Sequence, residues 1–289
     1  MIEIREINVI GGRDMSSQSW ARNRRLRSTP QDDEEPREGT AGGNSDGDSL
    51  ATPMKSSKYF QAEDASGFRR LGRDFFDQPC VVLARALLGK VLTRRLPGGE
   101  ILQGRVVETE AYLGGDDLAS HSRGGRQTPR NSAMFMEPGT IYVYQIYGLY
   151  YCLNISSQGP GAAVLLRALE PLEGEETMQQ LRTRAQKRAA AKATRPLKTR
   201  QLCGGPAKLC QAFALNKTFD KKDLASDTEL WVEENRYSQP QTKHDVESKN
   251  VVCTSRIGVA SAAEWAQKPL RFYIYGNPCV SVIDRKVQG

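Results

Sequence analysis

The sequence is poor in metal ligands. It has two histidines, His121 and His244, and none of its six cysteines forms a Cys-x-x-Cys pair. Without such a pair a zinc ribbon is not expected, and two histidines leave little material for a catalytic metal centre, so no metal is expected. With no signal peptide in view, Cys80, Cys152, Cys203, Cys210, Cys253 and Cys279 are read as reduced thiols of an intracellular protein. No apolar run approaches the ~20 residues of a membrane span, and no membrane association is expected. Apolar periodicity is missing from residues 1–66, where Asp32-Asp33-Glu34-Glu35 and Gly42-Gly43-Asn44 typify the composition. Such a stretch cannot bury enough apolar surface to offset its ordering entropy, and a disordered tail is expected. Acidic residues are missing between Arg182 and Arg200.

What is present begins with charge. A net +7 in 289 residues, with a pI near 9.1, suits a polyanionic partner such as nucleic acid, solubility being the plain alternative. At 38% hydrophobic the remainder can bury a core, and residues 67–289 are expected to form one domain. Pro79 opens a short helix with Leu83 and Leu87 on one face, and Gly89 ends it. Lys90 to Leu96 and Ile101 to Thr109 read as strands around the Pro97-Gly98-Gly99 turn. Thr140 to Tyr147 and Tyr150 to Ser156 form a second hairpin around Gly148. A helix is expected between Glu173 and Lys192, another from Pro206, and short strands around Trp231, Ile257, Phe272 and Val282. This mixture of hairpins and helices indicates a mixed α/β fold of the α+β kind.

The chemistry-bearing residues concentrate between Val106 and Arg167. In Val107-Glu108-Thr109-Glu110-Ala111-Tyr112, strand alternation puts Glu108, Glu110 and Tyr112 on one face. Two carboxylates beside an aromatic can supply a general base, although two solvated acids on an exposed face are the commoner arrangement. His121 to Asn131 is a basic, glycine-bearing segment without an acid, fit to contact phosphate or to serve as an ordinary loop. Residues 142–151 hold five tyrosines. Tyr142 and Tyr144 share a face, and Tyr147 sits at the hairpin tip, where its own sheet cannot cover it. On a basic protein such an aromatic can insert between DNA bases, with a pocket behind it for a flipped base. Sheet propensity explains some of these tyrosines equally well. Arg167 ends the apolar run Ala162 to Leu166 and needs a carboxylate or anion, with Glu110 a candidate. Asn154 lies within a strand, where a local backbone hydrogen bond is the ordinary reason for it.

These segments, together with Leu166-Arg167-Ala168-Leu169-Glu170-Pro171, closely resemble the alkyladenine (3-methyladenine) DNA glycosylase family over roughly residues 68–287. The resemblance implies a compact single domain with a curved antiparallel sheet, surrounding helices and a protruding β-hairpin. It implies a monofunctional enzyme of base excision repair that flips and hydrolytically excises alkylated and deaminated purines: 3-methyladenine, 7-methylguanine, hypoxanthine and ethenoadenine. It would leave an abasic site and need no cofactor. By the same resemblance Glu110 is the general base and Arg167 holds the water and Glu110. Tyr112, His121 and Tyr144 bind the flipped base, Asn154 limits purines bearing a 2-amino group, and Tyr147 intercalates. Arg126, Arg130 and Lys208 are candidates for the DNA backbone. The partner would be double-stranded DNA containing damaged purines, bound by a monomer, with the N-terminal tail available to protein partners. Localisation would be nuclear, with mitochondria as an alternative. Three positions depart from the family pattern: Glu137 stands where a basic residue is expected, Tyr237 to Asn250 is longer and more polar, and Cys279 replaces a bulkier aromatic. Two rival readings are a catalytically inactive lesion-binding DNA protein and a module whose hairpin docks a protein.

Overall fold

The computed structural model describes residues 70–189, 196–235 and 250–287. The expected tail, 1–66, and nearly all of the polar segment 238–250 lie outside the described residues. Two short helices, α1 (Arg73–Phe76) and α2 (Cys80–Ala86), precede β1 (Val91–Arg95) and the long β2 (Ile101–Tyr112). Then come β3 (Ile141–Ile146), β4 (Tyr150–Ser156) and β5 (Ala163–Glu173), followed by helices α3 (Glu175–Ala189), α4 (Thr199–Leu202) and α5 (Pro206–Ala212). Three short strands finish the chain: β6 (Leu230–Glu233), β7 (Val251–Thr254) and β8 (Arg271–Ile274). Among the described residues the eight strands join one antiparallel sheet with the path β3-β4-β5-β2-β1-β6, β8 bridging β2 and β7. The α+β class and the single compact domain are therefore borne out.

Strand β2 organises the sheet. One edge pairs with β5 along nearly its whole length. The other edge pairs first with β1, through Ile101 to Arg105, and then with β8, through Glu108 to Glu110. The β2–β5 register shifts around Val106, Glu108 and Thr109. Such irregularities bend a strand and raise its twist, and this one lies where the neighbour changes and the two carboxylates begin. Both faces of β2 are covered. Helices α2 and α5 cover one side of the sheet, where Leu83, Leu92, Leu102, Leu153, Leu166 and Phe213 form a sealed core. A Cβ added at Gly104 would stand 3.0 Å from Leu169 Cβ and 3.1 Å from Phe213 Cζ, so the two side chains would have to give way.

The helices and hairpins fall close to their expected bounds, because they rest on local signals. Pro206 occupies the first turn of α5, where a missing amide costs nothing. Tyr147 and Gly148 have φ of +50° and +69°, and Leu149 N–H closes the turn on the Ile146 carbonyl at 3.1 Å. Two expected strands are corrected. Strand β7 ends at Thr254, so Ile257 lies in the following loop, and Val282 lies in a non-strand segment near the C-terminus. Each spends a backbone group on a side chain rather than on a ladder. Ile257 N–H donates to Glu110, and the Val282 carbonyl accepts from Arg271. Arg182 is corrected as well. It heads the acid-free basic run, yet it is buried, and its Nη1 donates to Gln211 Oε1 at 2.5 Å across the α3–α5 contact.

Candidate active site

Glu108 and Glu110 are both fully buried, which overturns the solvated-face alternative. They are neighbours on one face of β2, and Arg167 from β5 bridges them, with Nε 3.2 Å from Glu108 Oε1 and Nη1 3.4 Å from Glu110 Oε1. Arg167 thus meets Glu110 as expected, and Glu108 in addition. The two carboxylates differ in their other partners. Glu108 accepts from Arg271 Nη1 at 2.8 Å and from Ser281 N–H at 2.7 Å, so two guanidiniums and an amide hold it. Glu110 accepts from Ile257 N–H at 2.8 Å on one oxygen and from the Tyr112 hydroxyl at 2.8 Å on the other. Of the two, Glu110 is the one bonded to an aromatic of the proposed pocket. Burial, and then the Glu110 charge, raise the Tyr112 pKa well above that of a free phenol. The hydroxyl therefore stays protonated and donates to Glu110 throughout the neutral range.

The aromatic wall comes from β3 and the loop after β2. His121 and Tyr144 meet edge to face, with centroids 4.6 Å apart, and Tyr142 lies 5.5 Å from Tyr144. His121 Nδ1 is 2.8 Å from the Tyr142 hydroxyl. Desolvation of the imidazole, and then the charge of Arg130, lower its pKa below 6.5, so at neutral pH the ring is uncharged. The His121 segment is seated by a close backbone approach. The Ser122 hydroxyl donates to the Gly161 carbonyl at 2.5 Å, and a Cβ on Gly161, whose φ is +73°, would stand 2.7 Å from Ser122 Cβ. Asn154 is buried opposite Tyr142, and its amide donates to the Tyr142 carbonyl at 3.0 Å. This is the ordinary backbone bond for a strand asparagine, and it also places Asn154 beside the tyrosine cluster.

A cavity of about 450 Å³ is lined by His121, Arg123, Arg126 and Arg130, while Glu110, Tyr112 and Tyr144 are not among its lining residues. Arg130 also sits 5.7 Å over the Tyr144 ring. Asn131, buried and not singled out in the sequence, pins this loop: its amide donates to the carbonyls of His121 and Arg126, both at 2.9 Å, and its oxygen accepts from Thr128 N–H at 2.6 Å. Lys208 is exposed on α5 and is not among the residues lining the cavity. Tyr147 is 77% exposed at the hairpin tip, as its position demanded, and Leu149 beside it is 68% exposed. Glu137 is exposed, and Cys279 is buried in a small apolar cluster with Val107, Ala168 and Tyr273.

Sequence reasoning missed Arg271, Asp117 and Arg256. Arg256 and Asp117 form a buried bidentate pair at 2.6 and 2.8 Å. Their signal was faint: charged residues set in or beside short apolar stretches, with partners more than a hundred positions away.

The chain is similar to known proteins over most of its described length. The family model for Methylpurine-DNA glycosylase (MPG) matches residues 74–278. The chain is 62% identical over 234 residues to a human protein named DNA-3-methyladenine glycosylase, covering 81% of this chain and 75% of that one. It is 59% identical over 240 residues to the mouse protein of the same name, covering 82% and 68%. A Probable DNA-3-methyladenine glycosylase of Encephalitozoon cuniculi is 46% identical over 212 residues, covering 73% of this chain and 92% of that protein. With a family match across most of its length and relatives at this identity, the chain belongs to the methylpurine-DNA glycosylase family.

Proposed function

We propose that this chain is a monofunctional DNA glycosylase that flips damaged purines out of duplex DNA and hydrolyses their N-glycosidic bond. The observation that carries the reading is Glu110: a fully buried carboxylate oriented by an amide, a hydroxyl and a guanidinium, bonded to Tyr112 beside the His121–Tyr144 wall. Breaking the bond between C1′ and the purine nitrogen develops positive charge on the sugar. A fixed carboxylate stabilises that charge and takes a proton from the attacking water. The water oxygen bonds to C1′, its proton goes to Glu110, and the purine leaves with the electron pair of the broken bond. Arg167 keeps Glu110 oriented and offers its guanidinium to the same water. A base methylated at a ring nitrogen is already cationic and leaves neutral, and its charge favours stacking on tyrosine by roughly 0.5–2 kcal/mol per contact.

In this reading Tyr112, His121 and Tyr144 hold the flipped base and Asn154 restricts purines bearing a 2-amino group. Arg126, Arg130 and Lys208 meet the phosphates, and Tyr147 occupies the gap in the stack. Protein partners recruited through the N-terminal tail are a separate matter for binding assays. The test is a single-turnover assay over duplexes bearing hypoxanthine, ethenoadenine, 7-methylguanine or mismatched guanine. Free base and an abasic site should appear from the first three. Asn154→Ala should raise excision of guanine relative to hypoxanthine. Tight lesion binding with no base release would return the chain to the inactive lesion-binding reading, and an unchanged ratio would remove Asn154 from the gate.

A further inference from the structure

Both terminal nitrogens of Arg256 are bonded close to the candidate base. Its side chain is fully buried. Both terminal nitrogens bond Asp117; Nη1 also donates to the Ala111 carbonyl at 2.9 Å, and Nη2 to the Trp265 carbonyl at 3.4 Å. Its guanidinium lies 4.6 Å from the centroid of the Tyr112 ring. The next residue, Ile257, supplies the amide bonded to Glu110. Asp117 is itself fixed, because its carboxylate also accepts from the backbone amides of Leu113 and Ala119. One buried side chain therefore ties together the end of β2, the loop that follows it, the Ala263–Ala266 turn and two of the groups bonded to Glu110.

We infer that Asp117 and Arg256 are a positioning pair for the Glu110 base, setting the Ile257 amide and the Tyr112 ring against it and placing a fixed positive charge behind it. The inference rests on the reading of Glu110 as the base. It extends that reading to residues that touch neither water nor purine. The charges agree with it. The groups facing Glu110 are Glu108 and Tyr112 on its own strand, Arg167 from β5, Arg271 from β8, Tyr144 from β3, and Arg256 with Asp117 from the two loops. Among the described residues three carboxylates stand against three guanidiniums, so removing either member of the pair unbalances the site in a known direction. Burial alone would lower the Arg256 pKa, but Asp117, and behind it Tyr112 and Glu110, hold it above the ordinary arginine value.

The test is the pH profile of single-turnover hypoxanthine excision for Arg256→Gln, Asp117→Asn and the double variant. Loss of the cation should move the acidic limb to higher pH by at least about half a unit, and loss of the anion should move it to lower pH by a similar amount. The double variant, neutral again, should return the limb to its wild-type position while its plateau rate stays about tenfold low, because the amide and ring have lost their anchor. A merely structural pair would lower stability without opposite shifts. Limbs that do not move, or that move in the same direction, overturn the inference. Arg256→Lys guards against misfolding of the glutamine variant, since it keeps the charge and loses the fork. Its rate should fall about tenfold with the limb in place and lesion-duplex affinity held, and a wild-type rate overturns the inference. In parallel, Glu110→Gln should abolish the acidic limb. A limb that persists there refutes the Glu110 reading itself, separately from the pair.

Discussion

The two ends of the β3–β4 hairpin obey different physics. At the root, Tyr142 is buried, bonded to His121 and packed with Ala133, Met134 and Ala163. Five positions later, Tyr147 projects from the tip with most of its surface in solvent. The root belongs to a floor whose other half is the charge network of Glu108, Glu110, Arg167 and Arg271, where every group is held by another. The tip is held by its turn, Leu149 N–H on the Ile146 carbonyl, and by the Gln145 amide, which donates to the Gly148 carbonyl. The difference separates two tasks in the proposed reaction. Chemistry requires groups that do not move when charge develops, and preorganisation of this kind is the main source of electrostatic catalysis. Invasion of a duplex requires an apolar surface that the protein has not already covered.

Cutting the floor should cost most. Glu108→Gln leaves Arg167 and Arg271 without their shared buried anion, and losing one partner of a buried pair costs about 3–5 kcal/mol. Urea unfolding at pH 7 should show that loss, and a change below about 1 kcal/mol would mean the network relaxes where a rigid floor is claimed. The tip should respond in the opposite way. Tyr147→Ser should leave stability within about 0.5 kcal/mol, as exposed substitutions do. Its excision of a well-paired hypoxanthine should nevertheless fall about tenfold, in line with ~1–3 kcal/mol of lost stacking. The same lesion in single-stranded DNA should lose less, because less unpairing is needed. Equal losses on both substrates would erase the distinction between tip and floor.

The smallest effect belongs to the seam between them. His121 has a depressed pKa in the folded chain, from desolvation first and Arg130 second. The unfolded chain then takes up a proton earlier as pH falls, so stability declines on acidification below the free imidazole value of 6.5. Arg130→Ala should move the His121 titration midpoint upward, read from its ring proton by NMR, and soften that decline. A midpoint that stays or falls would exclude Arg130 as a cause.

The sequence discloses what depends on neighbours along the chain. Tyrosine alternation, the Tyr147-Gly148 turn and Pro206 each act within a few residues, and the elements appear where those signals stand. The face shared by Glu108, Glu110 and Tyr112 follows from strand alternation. Their burial does not, because β8 and the C-terminal loops that cover them arrive from more than 140 positions away. The Asp117–Arg256 pair, 139 positions apart, stayed hidden for the same reason. Ile257 and Val282 have strand-like side chains and lie in loops, since tertiary bonds claim their backbone groups. Arg182 reads as part of a basic stripe, and its place in the α3–α5 contact was legible only from packing.

The central claim is that Glu110, and not Glu108, takes the proton of the attacking water. Single-turnover excision of hypoxanthine by Glu110→Gln, measured beside its affinity for the lesion duplex, addresses it directly. The account predicts a rate at least about 10²-fold below wild type, within the range lost with a general base, at unchanged affinity. A near wild-type rate would contradict it and transfer the role to Glu108.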